Sequence, residues 1–199
     1  MNKKRMADSY EIIRSFEIGK KEIVIGEDKK APAEERYLVA DYETNGVIER
    51  YSDGIVSDDF AEICSIFAKR IEDEAIRVID EKSKIAVDTK PIKAEDCQAV
   101  SYDEAIRNKV VVINQEVFKP EYQMSVKQLH LCTGGFGSEK NARGSACFCI
   151  NLYTGKESRF ERRDILGIIE KEKLPQWAKE NLATIQKKRE KRRKEVDAR

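Results

Sequence analysis

The first quarter of the chain consists of short runs rich in β-branched residues, separated by turn residues. Residues 10–26 contain two such runs around a Gly-Lys turn, which predicts a hairpin. Residues 36–42 and 47–51 predict a second pair of strands, joined through Asn45-Gly46, because this dipeptide tolerates the positive φ of a tight turn. The pattern therefore favours a four-stranded antiparallel meander.

A long amphipathic helix is predicted directly after the meander. Ser57 or Asp58 can cap its start, and the helical spacing of its apolar residues continues to about Glu81. The apolar positions that define this spacing are Phe60, Ile63, Phe67, Ile71, Val78 and Ile79. Such a helix can cover one face of the meander, so we expect residues 1–83 to form an N-terminal module.

A second module is predicted after a linker at residues 84–100. Ser101 and Glu104 have capping-box spacing, which predicts a short helix, and the unbroken run at 110–113 predicts a buried strand. Three more strands are predicted at 126–133, 145–153 and 158–162, with a helical turn from Asp164 to Leu166.

Pro175 is suited to the first turn of a final helix. Its predicted inner face consists of Leu174, Trp177, Ala178, Leu182 and Ile185. The second module then spans residues 101–185 and is followed by a basic helical tail at 186–199. The fold class is α+β: an antiparallel β-meander covered by a long helix, followed by a second small antiparallel sheet with a C-terminal helix.

Charge is distributed unevenly along the chain. The formal net charge is +1, yet residues 186–199 carry eight basic and three acidic side chains, a net +5 that leaves −4 on the remainder. A helix this basic suits contact with a phosphate backbone, and a solubilising, frayed terminus is the equal alternative. The candidate contact residues in the tail are Lys188, Arg189, Arg192 and Arg193.

The sequence predicts a cytoplasmic protein without membrane contact. No stretch approaches the roughly 18 uninterrupted apolar residues of a membrane helix, and the first residues lack the apolar core of a secretory signal. The five cysteines are an odd number and unevenly spread, so we expect reduced thiols.

One cluster could bind metal. His130 and Cys132 share one face of a predicted strand, as do Cys147 and Cys149, and pairing of the two strands would bring four potential zinc ligands together. Same-face side chains on a flat strand are about 7 Å apart, so buried, unliganded cysteines are favoured and no cofactor is expected. His130 is the only histidine and shares a strand with Cys132, which argues against a thiol enzyme.

The loop between two predicted strands, residues 134–144, is rich in glycine but fits neither nucleotide-binding pattern. We expect a long, mobile hairpin tip that presents Lys140 and Arg143 to a phosphate or to a groove on a protein. Arg159, Arg162 and Arg163, near the third strand of the second module, are further candidate contact residues.

Three segments, residues 10–32, 58–75 and 130–182, resemble small accessory proteins and polyvalent-protein-associated domains of Firmicutes conjugative elements and phages. The last of these reads HLCTGGFGSEKNARGSACFCINLYTGKESRFERRDILGIIEKEKLPQWAKENL. The resemblance implies a mobile-element protein from a neighbourhood of anti-restriction and anti-CRISPR proteins, and it brings no catalytic residues.

The leading hypothesis is a non-enzymatic accessory protein that binds a host nucleoprotein complex, such as an anti-CRISPR inhibitor of an effector nuclease. A DNA- or RNA-binding protein that serves transfer or regulation of the element is the first alternative. A zinc-stabilised interaction module is the second.

Overall fold

The computed structural model describes residues 4–44, 48–141 and 143–197, and within α3 the side chains of residues 193, 196 and 197 are also left out. The chain divides into two compact units, Met1–Ile85 and Ala86–Arg199, and each is described by itself. Each unit contains an antiparallel sheet and a helix, so the predicted α+β class is confirmed.

The first unit contains a five-stranded antiparallel sheet in the order β1-β2-β3-β4-β5. Its strands are β1 (Met6–Ala7), β2 (Tyr10–Ile18), β3 (Lys21–Glu27), β4 (Tyr37–Thr44) and β5 (Glu49–Ser57). The predicted first hairpin is confirmed, with Gly19 at a φ of 57° in its turn. The predicted Asn45-Gly46 turn and Val47 lie outside the described residues.

β5 is longer than the sequence predicted, because Asp53-Gly54 does not end the strand. Asp53 adopts a φ of 53°, and the pairing with β4 shifts register at this point and then continues to Ser57. A local bulge therefore absorbs the residues that resembled a strand terminator.

Helix α1 (Phe60–Ser83) covers one face of this sheet, as predicted. Its N-cap is Asp59 rather than Ser57 or Asp58, because the Asp59 carboxylate accepts from the backbone N–H groups of Ala61 and Glu62. Ile63 is fully buried against the sheet, whereas Ile79 is 65% exposed. The apolar stripe predicted for α1 is thus a core contact only in part.

The second unit contains a five-stranded antiparallel sheet in the order β10-β6-β7-β8-β9. Its strands are β6 (Val110–Ile113), β7 (Leu129–Gly134), β8 (Ala146–Asn151), β9 (Glu157–Glu161) and β10 (Ile165–Ile168). A single turn of helix, α2 (Ser125–Gln128), precedes β7 where the sequence predicted strand.

Helix α3 (Gln176–Asp197) packs its first half on one face of this sheet. Leu174, Ala178 and Leu182 are buried there against Leu129 and Leu131, which confirms the predicted inner face. The opposite face carries Val111, Ile113 and the three cysteines of β7 and β8. Within the described ranges, no helix is both long enough and apolar enough to cross a lipid bilayer.

Three further sequence-based predictions for the second unit are wrong. The predicted linker belongs to this unit from residue 86 onward, because Ile92 is buried in its core and Gln98 pairs with Ile168. Residues 101–108 form turns instead of a helix, since the carbonyls of Ser101 and Glu104 accept hydrogen bonds from a distant side chain. The helical turn predicted at 164–166 is replaced by the start of β10, which pairs with β6.

Candidate nucleic-acid interface

The second half of α3 presents basic side chains to solvent. The helix continues to Asp197, which is 12 residues beyond Ile185, the last apolar residue among the described side chains that packs on the sheet. The exposed cations in this stretch are Lys187, Lys188, Lys191, Arg192 and Lys194. The predicted contact residue Arg193 lies on the same stretch, but its side chain is outside the described part of the chain.

Arg189 connects this basic stretch to the sheet. It is half-buried, and its Nη1 donates to the Asn108 side chain at 3.4 Å. Shallow grooves run along both sides of the helix, one of about 270 Å³ past Asn108 and one of about 190 Å³ past Ile150. Arg189 lines both grooves, and Lys188 and Arg192 line the second.

An aromatic side chain lies on the same sheet face as α3. Cys147 and Cys149 point to the opposite core, so the alternation of a strand places Phe148 on the α3 face, where it is 52% exposed. Arg159 on β9 is its Cα partner and therefore shares that face. The predicted contact residue Arg159 thus lies beside an uncovered phenyl ring.

The first part of the glycine-rich loop is folded onto the sheet, so it is not part of the long hairpin tip that the sequence predicted. Residues 136–138 form a 3₁₀ turn in which Gly137 and Ser138 are buried, and the Ser138 carbonyl accepts from Ile106 N at 2.8 Å. Gly135 adopts a φ of 96°, and a β-carbon there would collide with the Ala146 carbonyl, so glycine is required. Lys140 and Arg143 are exposed on this loop, as expected.

Arg162 is a structural residue and not the surface contact that the sequence predicted. It is only 4% exposed, and its guanidinium donates to the carbonyls of Gly137 at 3.1 Å, Ser101 at 2.7 Å and Glu104 at 2.9 Å. The next residue, Arg163, is exposed. Of the three arginines predicted near β9, two are therefore at the surface and the third is buried.

The four residues weighed as zinc ligands are buried, and His130 is fully engaged. Its Nδ1 lies 3.2 Å from the Gln128 carbonyl, which can only accept, so Nδ1 carries the proton and Nε2 accepts from the Asn151 amide at 3.4 Å. Among the described residues, no group of three or more His, Cys, Asp and Glu side chains is arranged to hold a metal ion. Burial lowers the pKa of His130 to about 4.

The three cysteines Cys132, Cys147 and Cys149 form a buried cluster on one face of the second sheet. Cys132 and Cys149 are Cα partners across β7 and β8, and Cys147 lies two residues from Cys149 on the same face. Hydrogen bonds from Cys147 and Cys149 lower the pKa of Cys132, and the same bonds raise the pKa of both donors. Cys132 is therefore the thiol of this cluster that loses its proton first.

Sequence reasoning missed three residues at this surface, namely Phe136, Phe148 and Arg107. The Cys-Phe-Cys alternation of β8 could have indicated Phe148, because two buried cysteines on one face require the residue between them on the other. No comparable signal marks Phe136, which begins the 3₁₀ turn of the loop, or Arg107, which pairs with Glu139 of the same loop.

Comparison with protein-family models, with curated proteins and with solved structures gives no match. The resemblance to accessory proteins of mobile elements therefore stays a prediction, and functional inference depends on the geometry of this surface.

Proposed function

We propose that this chain is a nucleic-acid-binding protein whose second unit contacts phosphates through the second half of α3. The observation that carries the proposal is the exposure of five cations on a helix stretch whose described side chains contribute nothing apolar to the core. Lysine and arginine arrays of this kind bind nucleic acid by releasing the counterions condensed on phosphates.

The anchoring of the second half of α3 favours an ordered binding surface over a frayed, solubilising terminus. The helix is anchored to the sheet by Leu182 and Ile185, and Arg189 is held at Asn108. Side chains on a docked helix lose less conformational freedom on binding than side chains of a frayed end, so the array is partly pre-organised.

Binding to labelled oligonucleotides, measured by fluorescence anisotropy at low salt, tests the proposal. The test variant replaces Lys187, Lys188, Lys191 and Lys194 with Gln. The control variant replaces four other exposed lysines with Gln, which gives the same change in net charge: Lys29, Lys30, Lys82 and Lys90. We expect the test variant to lose about tenfold or more in affinity, and the control to bind like the wild type.

Two outcomes would overturn the proposal: a wild-type protein that fails to bind any oligonucleotide at low salt, or a test variant that binds as tightly as the control. The hypothesis of a host nucleoprotein target, including an effector nuclease, stays a prediction. Affinity capture from a host lysate, with and without nuclease treatment, distinguishes it from direct binding to nucleic acid. Capture that survives nuclease treatment and the loss of the four α3 lysines would favour a protein target.

A further inference from the structure

Phe148 is an uncovered aromatic residue on an inner strand of the second sheet. It belongs to β8, which pairs with β7 on one side and β9 on the other, and its side chain is 52% exposed. Ile150, two residues further along the same face, lies under α3 and lines a groove with Lys188 and Arg192. The ring therefore faces the same side of the sheet as the basic helix.

Phe148 has an arginine near its neighbouring position on each side. Arg159 is the Cα partner of Phe148 on β9. On β7 the partner is Gly134, and a β-carbon built there would lie 3.4 Å from Nη2 of Arg107, so the Arg107 side chain covers the space that a larger residue would fill. The exposed Phe148 side chain thus lies between two positions that carry or contact an arginine.

Both guanidinium groups are available to a phosphate. Arg159 pairs with Glu161 at 2.6 Å and Arg107 with Glu139 at 2.8 Å, and more than half of each arginine side chain is exposed. Exposed ion pairs contribute little to stability, so a ligand phosphate can replace the carboxylate at small cost.

A second exposed ring lies at the same end of the sheet. Phe136, at 77% exposure, follows Gly134 by two residues and begins the 3₁₀ turn of the glycine-rich loop. Gly144 allows the loop to return past it, because a β-carbon at Gly144 would lie 2.7 Å from Cβ of Phe136. Lys140 and Arg143 are exposed on the same loop.

We infer that the ligand is a single-stranded nucleic acid, with an unpaired base stacked on Phe148 and neighbouring phosphates on Arg159 and Arg107. Rings on a flat sheet face can stack only on bases that are free of a partner, because duplex bases are already stacked on each other. Because the sheet face that carries Phe148 also carries the α3 cations, the ligand that best complements its charge is a polyanion. The inference depends on the proposed function and specifies that the bound nucleic acid is single-stranded.

The test measures the affinity of four proteins for a 15-nucleotide single strand and for a duplex of the same sequence. The four proteins are the wild type, Phe148→Ala, Phe148→Leu and Phe148→Tyr. We expect Phe148→Ala and Phe148→Leu to weaken single-strand binding about 5- to 100-fold, since loss of base stacking has costs in this range, while duplex binding is unchanged. Phe148→Tyr keeps a π-face and retains binding. Val117→Ala, at a similarly exposed apolar position of this unit, is the control for lost surface area.

The leucine and tyrosine variants keep the apolar contact with the sheet, so the comparison does not depend on the stability of Phe148→Ala. Equal binding of the single strand by the leucine and tyrosine variants would overturn the inference. Equal affinity of the wild type for single strand and duplex would also overturn it. In both cases the proposed function stands if the α3 lysine variant still loses binding. If the wild type binds neither oligonucleotide, both proposals fail.

Discussion

The guanidinium of Arg162 donates to the carbonyl of Gly137, 25 residues earlier in the chain, at 3.1 Å. Two further carbonyls, from Ser101 and Glu104, accept from the same group. One buried side chain thus joins the glycine-rich loop and the turn at 101–104 to the end of β9.

We predict that Arg162→Met lowers the free energy of unfolding by about 3 kcal/mol, because it removes charge-assisted hydrogen bonds and leaves buried carbonyls unsatisfied. Urea denaturation followed by circular dichroism measures the change. Arg163→Met is the matched control, since the Arg163 side chain is 83% exposed, and it should shift stability by less than about 0.5 kcal/mol. Similar losses in the two variants would contradict the structural role of Arg162.

The pKa of His130 gives a pH dependence with a defined sign. Burial lowers it from 6.5 to about 4, so the unfolded chain binds a proton between these values that the folded chain does not. The stabilising contribution is complete above pH 6.5 and is lost as the pH falls towards 4. We expect the free energy of unfolding to drop by about 2 kcal/mol between pH 7 and pH 5.

His130→Asn provides the control for this pH dependence, because His130 is the only histidine in the chain. The variant should be less stable at pH 7 but should lose most of the change between pH 7 and pH 5. Carboxylates with lowered pKa, such as Glu74, titrate below this window and affect both proteins alike. An unchanged pH slope in the variant would show that another group is responsible.

Gly19 and Glu74 make the first unit sensitive to a single methyl group. Gly19 adopts a φ of 57°, and a β-carbon there would overlap Oε1 of Glu74, which accepts from Lys20 N at 2.9 Å. We expect Gly19→Ala to destabilise the unit by about 2 to 3 kcal/mol, the sum of left-handed strain and a displaced buried carboxylate. Thermal unfolding measures the loss.

Gly155→Ala separates the two contributions, because Gly155 has a φ of 69° and a β-carbon there would have no neighbour within 4 Å. It should cost only the backbone strain, about 1 to 2 kcal/mol. The cost of Gly19→Ala should also shrink in a Glu74→Ala background, since the overlap with the carboxylate is then absent and only the contact with Cγ2 of Val78, at 2.9 Å, remains. Equal costs for the two glycines would remove the role assigned to Glu74.

Salt dependence measures how many α3 cations bind phosphate. For a single strand, the slope of log affinity against log salt falls by about 0.7 for each phosphate that the protein no longer neutralises. The variant with four α3 lysines replaced should therefore show a slope smaller by up to about 3, whereas the control with four lysines replaced elsewhere should keep the wild-type slope. A slope that is the same in all three proteins would point to a binding surface outside α3.

Elements with strong periodicity could be predicted from the sequence, and elements set by distant partners could not. The β2–β3 hairpin and the inner face of α3 follow from local patterns, and both were found. β10 was missed because Asp164, which resembled a helix cap, precedes residues whose conformation is set by pairing with β6. That pairing joins segments about 50 residues apart and leaves no local trace.

In the candidate interface, too, features set by local sequence could be predicted and features set by distant residues could not. The exposed cations of α3 could be predicted because charge density is a local property of the sequence. The burial of Arg162 could not, because its acceptors come from residues 101, 104 and 137 and arginine is ordinarily exposed. The exposure of Phe148 depends on how much of the sheet α3 covers, and this coverage cannot be predicted from the residues of β8.

The division of α3 into a buried half and a charged half has a consequence for how the cationic array is ordered. An isolated helix in water must form its first turn at a free-energy cost, and a peptide as charged as residues 186–197 would be mostly coil. Here the turns around Ala178 and Leu182, packed on the sheet, serve as the nucleus from which the rest propagates. When the contact of Ala178 and Leu182 with the sheet is lost on heating, the second half of α3 should therefore unfold at the same temperature, and its positive charges should lose their helical spacing.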